Sequence, residues 1–293
     1  MGQCYQNSTD VSLSISGVFS NSHFKKVLEK GYSSYIDKKI ERLQDILPFG
    51  KNETRMQALE TMYSYLLKEH RCEYIYKNFI TQKILLGRHS LNTSSLINEF
   101  RVGSSVADVV LINGKSTAYE IKTELDNPDR LQDQLSDYQK AFTEIHLVVH
   151  HSKVDTYKEY LIGSHIGLIA LNHRNQLSVR KKAELNTKYL DITTMFKSLR
   201  KQEYSNIIER AYGYIPDVPN MFYFKECLKL AKKMDAFEFN KMMGEELKKR
   251  KPKEKEIVSS NSIPDYLRNI CLSLDPNQKE YERLYNYLNK TIH

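Results

Sequence analysis

Tryptophan is absent from the 293-residue chain, and there are only four cysteines, seven prolines and eleven glycines. Cys4, Cys72, Cys227 and Cys271 lie far apart with no CxxC pair, which argues against a disulfide framework and a zinc knuckle and points to reduced thiols. No apolar run approaches the roughly 18 to 20 residues that a membrane-spanning helix needs. No basic stretch followed by an apolar one stands near the N-terminus, so no secretory signal is expected. The opening Met1-Gly2-Gln3-Cys4 is similar to a myristoylation start, but Gln6 stands where Ser or Thr belongs. A soluble, cytoplasmic protein is the expectation. Neither a GxxxxGK(S/T) phosphate loop nor a GxSxG nucleophile elbow is present, so nucleoside triphosphate hydrolysis and Ser/His/Asp chemistry are not indicated.

The composition that is there is globular, with 40% hydrophobic and 27% charged residues. Lys and Arg number 44 against 36 Asp and Glu, a formal net charge of +8, which permits nucleic acid as a partner without requiring it. Nine histidines are scattered, and His150-His151 has no third ligand at zinc spacing, so a solvated strand end is the simpler reading.

Periodicity divides the chain into three zones: an N-terminal helical region over 1–60, a core over 61–183 and a C-terminal helical region over 184–293. The first zone starts polar and Ser-rich; Phe24, Val27 and Leu28, then Ile36, Ile40, Leu43 and Leu47, recur at helical steps until Pro48 and Gly50. A second helix is predicted from about 53 to 85, with an interruption near His70. In the core, 97–102, 106–112 and 117–121 read as short strands, and Asn113-Gly114 between two of them is a hairpin signal. A helix follows from Pro128 to Phe142, then the apolar strand 145–149, a helix near 152–162, a strand at 167–171 and an edge strand at 177–180. The expected class is α/β with a mixed sheet flanked by helices. The Lys-rich segment 248–256 reads as a solvated helix end or linker.

The chemistry-bearing residues sit on the hairpin. Glu120 and Lys122 are two apart and share one face of their strand. Register decides whether Asp108 joins them. A two-residue loop pairs Ile112 with Lys115 and puts Asp108 opposite Tyr119; a three-residue loop, or a bulge, pairs Asp108 with Glu120. Two adjacent carboxylates repel unless a cation sits between them, and oxygen ligands of this kind suit Mg²⁺ or Mn²⁺. Gln134 and Tyr138 lie four apart on the next helix, with Arg130 a turn earlier, so all three can point the same way. Two of them have a plainer reading: Tyr138 as core, and Arg130 paired with Asp126.

Asp108 followed by Glu120-x-Lys122 on a hairpin resembles the PD-(D/E)XK nuclease superfamily, although Ala107 replaces the literal Pro. Gln134-Leu135-Ser136-Asp137-Tyr138 is similar to the QxxxY motif of its RecB-like branch, and Glu73 to the acidic residue of its first core helix. The stretch from Asn98 to Phe142 also resembles little-characterised bacterial and phage proteins with this core. The resemblance, over about 65–150, implies a restriction-endonuclease-like core with N- and C-terminal helical extensions. It implies Asp108, Glu120 and the Ile121 carbonyl as metal ligands, Lys122 as the group that positions water, and Arg130, Gln134 and Tyr138 as phosphodiester contacts. For Glu73, a water-mediated metal contact stands beside an i,i+4 pair with Lys77.

The expected function is a Mg²⁺- or Mn²⁺-dependent nuclease acting on DNA, with phage defence or mobile-element biology as its setting. The alternatives are a ribonuclease and a catalytically silent nucleic-acid-binding or protein-interaction module. Lys225, Lys229, Lys232 and Lys233 are candidates for a backbone clamp, a solvated face or a partner-docking surface.

Overall fold

The computed structural model describes residues 8–50 and 52–292; the Met1-Gly2-Gln3-Cys4 start lies outside them. The chain runs through α1 (Ser8–Val18), α2 (Asn21–Lys30), α3 (Ser34–Leu43), α4 (Arg55–Glu69) and α5 (Glu73–Phe79), which continues into a π-helical stretch, Ile80–Leu86. Then come β1 (Ser95–Val102), β2 (Ser105–Ile112), β3 (Ser116–Lys122), α6 (Leu131–Gln139), β4 (Glu144–His150), α7 (Val154–Tyr160), β5 (Gly167–Leu171) and β6 (Leu177–Lys181). The remaining helices are α8 (Ile192–Lys197), α9 (Lys201–Tyr212), α10 (Asn220–Ala231), α11 (Ala236–Lys248), α12 (Lys255–Ser259), α13 (Arg268–Leu274) and α14 (Gln278–Leu288). No helix among the described residues is long and apolar enough to cross a membrane.

The compact units of the structure cut across the three zones of the sequence. Residues 1–82 and 252–293 form one compact unit, and Lys83–Lys251 forms the other. In the first, the two ends of the chain meet: α14 packs on α2 and α4, and α13 on α2 and α5. Such contacts leave no trace in local periodicity. The Ser-rich start is itself helical, because Val11, Ile15 and Val18 make a buried stripe at i, i+4 and i+7 on α1. The expected continuous helix through Leu47 breaks at Gly31, whose φ of +76° ends α2 as a left-handed cap. A buried polar knot fixes α5: the Asn78 amide donates to the Tyr266 carbonyl at 2.9 Å, and Asn269 donates to Thr81 Oγ1 at 2.9 Å.

The second unit is α/β, with a mixed six-stranded sheet in the order β1-β2-β3-β4-β5-β6. The first three strands form an antiparallel meander, β3, β4 and β5 run parallel, and β6 closes the edge antiparallel. Parallel neighbours need crossovers, and α6 and α7 supply them. Leu131, Leu135 and Tyr138 of α6 bury against Val110, Ala118 and Leu147, with Phe196, Ile207 and Phe239 from α8, α9 and α11 in the same core. The C-terminal helical zone therefore splits: α8 to α11 cover the sheet, while α12 to α14 belong to the other unit. The Lys-rich 248–256 segment carries the change from one to the other.

Two carboxylates lock this unit. Asp137 of α6 accepts from the Ser104 N–H and both the Ser104 and Ser105 hydroxyls, each at 2.9 Å. It grips a tight turn where Gly103 has φ +60° and where a Cβ would lie 2.6 Å from the Asp137 carboxylate, so only glycine fits. Glu203 of α9 takes a bidentate grip from Arg250, at 2.6 and 2.7 Å, and that guanidinium lies over the Phe100 ring. Burial works to raise both carboxyl pKa values. Hydrogen bonds from Ser104, Ser105 and Lys140 in one case, and from Arg250 and the Arg200 N–H in the other, outweigh it and hold both below the usual range. A lowered native pKa contributes stability above the unfolded value that is lost as pH falls through the native one. Asp137→Ala is thus expected to lower unfolding free energy by about 2–3 kcal/mol at pH 7. The gap from wild type should narrow well below pH 4, as urea denaturation at both pH values would show.

Candidate active site

The β2–β3 turn sets everything that follows. Asn113, Gly114 and Lys115 form a three-residue loop: Ile112 pairs with Ser116, the Asn113 N–H donates to the Lys115 carbonyl at 3.0 Å, and Gly114 sits at φ +75°. Of the two registers open in the sequence, this is the one that serves the carboxylates. Pairing runs through Leu111 with Thr117 to Val109 with Tyr119, and the next step sets Asp108 across from Glu120. There the Asp108 side chain takes over from the ladder, and its Oδ2 accepts the Ile121 N–H at 2.7 Å.

Glu120 is 1% exposed, deep under α6. Lys122 Nζ donates to Glu120 Oε1 at 2.9 Å and to Gln134 Oε1 at 3.0 Å. The Tyr138 hydroxyl lies 2.7 Å from Glu120 Oε2 and 2.8 Å from the Val106 carbonyl, one proton between two acceptors. Burial, then the Glu120 charge beside it, pushes the Tyr138 phenol far above its ordinary range, so it remains a donor. The structure therefore gathers Asp108, Glu120, Lys122, Gln134 and Tyr138, with the Ile121 main chain, at one place. Tyr138, fully buried, turns its hydroxyl to Glu120 and the Val106 carbonyl. Gln134, half-buried, faces the Lys122 ammonium.

Arg130 is exposed at the start of α6 and makes no ion pair with Asp126 among the described residues; Asp126 instead accepts the Thr123 N–H at 2.6 Å. Glu73 belongs to the other unit, where its carboxylate meets Lys77 Nζ at 2.6 Å, the i,i+4 pair that its spacing allowed. Of the proposed clamp, Lys229 is ion-paired with Glu226, and Lys232 and Lys233 lie at and beyond the end of α10.

Sequence reasoning does not reach Glu99. It lies on β1 between the pairs Asn98/Val109 and Phe100/Ala107, beside Asp108, with φ +55°, a strained conformation for a glutamate. Nor does it reach the third histidine of the sheet rim: His151 has His150 at 4.2 Å and His173 at 6.1 Å between ring centroids. A positive φ and a through-space neighbour have no signature in periodicity.

Asp108, Glu120 and the Ile121 carbonyl are hard oxygen donors on adjacent strands, a set that fits Mg²⁺ or Mn²⁺ with water and phosphate completing the shell. No group of three or more His, Cys, Asp or Glu suited to a metal ion occurs among the described residues, so an ion here would rest on two carboxylates and a main-chain oxygen.

A family model described as bacteriophage P4 protein cII matches residues 67–269, more than half of the chain. No curated protein and no solved structure matches.

Tyr138→Phe removes the donor that Glu120 Oε2 relies on inside the core. It is expected to lower unfolding free energy by about 1–3 kcal/mol in urea titrations while leaving the far-ultraviolet spectrum unchanged.

Proposed function

The chain belongs to the bacteriophage P4 cII family, whose matched span holds the whole Glu120 cluster, and we propose that it is a metal-dependent nuclease that hydrolyses phosphodiester bonds, with DNA the preferred substrate. The observation that carries this reading is the Lys122 ammonium held between Glu120 Oε1 and Gln134 Oε1, with Asp108 on the adjoining strand. The antiparallel meander, the α6 crossover and the parallel β4 agree with a restriction-endonuclease-like core and with membership of the PD-(D/E)XK superfamily.

Asp108, Glu120 and the Ile121 carbonyl would hold Mg²⁺ or Mn²⁺, which supplies Lewis-acid stabilisation of charge on a phosphate when bound. Lys122 spends two of its three N–H donors on Glu120 and Gln134. The third is directed by those two bonds and is available to orient an attacking water or to hold a phosphate oxygen. Tyr138 keeps the Glu120 carboxylate from turning away, and the Gln134 amide nitrogen can add a neutral donor to the phosphate. The net charge of +8 favours a polyanionic substrate. A phage family suits a role in mobile-element biology or phage defence.

One observation favours a second reading. Both Glu120 oxygens already accept hydrogen bonds at 1% exposure, as they would in a catalytically silent binding module whose ion pair is structural. Incubation with plasmid, single-stranded DNA and RNA in Mg²⁺, Mn²⁺ or EDTA separates these readings and tells deoxyribonuclease from ribonuclease. Cleavage should need the cation and should fall by at least about 10²-fold in each of Asp108→Asn, Glu120→Gln and Lys122→Ala. Cutting that survives in Lys122→Ala would remove this site from consideration.

A further inference from the structure

On the face of the sheet turned away from Glu120, within the same unit, the structure holds a groove of about 540 Å³ beside β5 and β6. Its walls are uneven in charge. Lys83, on the π-helical stretch, and Arg88, just after it, stand on one side. Asn172, Gln176 and Ser178 of the β5–β6 hairpin stand on the other. No Asp or Glu is among the described residues lining it, and neither cation makes an ion pair among the described residues. Two exposed cations facing neutral hydrogen-bonding groups, with no counter-charge, form a site for an anion. The wall is also built unusually, since π-helices are rare and occur frequently at functional positions.

The floor and lip are apolar, with Ile169, Leu177 and a half-exposed Val179. An open trough with cations on one side and apolar surface beneath suits a polymer whose phosphates and bases alternate in just this way. The sheet relates the groove to the Glu120 cluster. Lys122 pairs with Val149 and His150 with Leu171, so the ends of β3, β4 and β5 form one rim. With strands spaced about 4.8 Å apart, β5 lies about 10 Å from β3, a span of a few nucleotides.

We propose that this groove is a binding track for the phosphate backbone of a single nucleic-acid strand, which passes over the β4 rim to the Glu120 site. The track deepens, and rests on, the nuclease reading above. Its test separates binding from cutting. The full chain is titrated against a fluorescein-labelled single-stranded oligonucleotide in EDTA, over a range of salt concentrations, as wild type, as Lys83→Ala with Arg88→Ala, and as a charge-matched control, Lys25→Ala with Lys26→Ala. The groove variant should bind about tenfold more weakly, and its salt slope should fall by about 0.7 per cation removed, with the control unchanged. Both side chains are exposed, so thermal unfolding should match wild type. Unchanged affinity and slope in the groove variant would overturn the track, even if the wild type cuts. Weakened binding in the groove variant, with a wild type that never cuts in Mg²⁺ or Mn²⁺, would support the track and overturn the nuclease reading. A mononucleotide that competes as well as the oligonucleotide would overturn the strand in favour of a nucleotide pocket.

Discussion

The buried carboxylate of Glu120 is the constraint around which the sheet unit is arranged. A charge at 1% exposure costs several kcal/mol unless it is paired and hydrogen-bonded. The partners come from two elements. Lys122 arrives on the same strand two residues on, which alternation guarantees. Tyr138, with Gln134 holding Lys122 from the other side, arrives on α6 at i,i+4 spacing. The pose of α6 is therefore an electrostatic matter as well as a packing one. Two attachments fix it: the Leu131, Leu135 and Phe142 stripe in the core, and the Asp137 grip on the Gly103 turn one residue before Tyr138.

Asp108 depends on a different device, the length of a turn. A two-residue loop would set it against Tyr119, on the opposite face from Glu120; the third loop residue corrects this. The neighbouring strand pair is irregular at the same place. β1 and β2 pair on both sides of Glu99 and Asp108 but not at them, and Glu99 takes a left-handed backbone. Phe100 and Ala107 beyond the gap return to the same core as Val110 and Ile112 before it, so the alternation of faces slips there. Asp108 is freed from the ladder by that slip, and its carboxylate turns sideways to the Ile121 N–H.

Much of this is legible in the residues. Strand 145–149 is apolar but for His146 and lies between two parallel neighbours; Pro128 opens the turn into α6; Asn113-Gly114 marks the hairpin. The Asp108, Glu120 and Lys122 trio and the Gln134/Tyr138 spacing are legible as candidates. The register is not legible, because loop length is decided by Gly114 geometry and by the faces that must be buried, and both answers satisfy the local pattern. Helical spacing puts Tyr138 beside Gln134 but does not say that its hydroxyl turns inward to Glu120. The two-unit division could not be read either. The contacts of α13 and α14 with α2, α4 and α5 join residues some 200 positions apart, and α1 hid three apolar residues among serines.

The enclosure of Glu120 by itself would suit an inert core ion pair, and such pairs are often replaceable by apolar residues at no loss. Asp108 stands beside that pair, with its Oδ2 on the Ile121 N–H. A Lys–Glu pair needs no second carboxylate on the adjoining strand, and two neighbouring carboxylates repel unless a cation lies between or beside them. β1 is irregular there too, with Glu99 at positive φ, a conformation that costs of order 1–3 kcal/mol in a residue other than glycine. A three-residue turn, a slipped strand and a strained Glu99 all act in the same direction, toward two oxygen donor groups at the end of one strand pair. On the nuclease reading proposed above, a cation and a phosphate would be held between them.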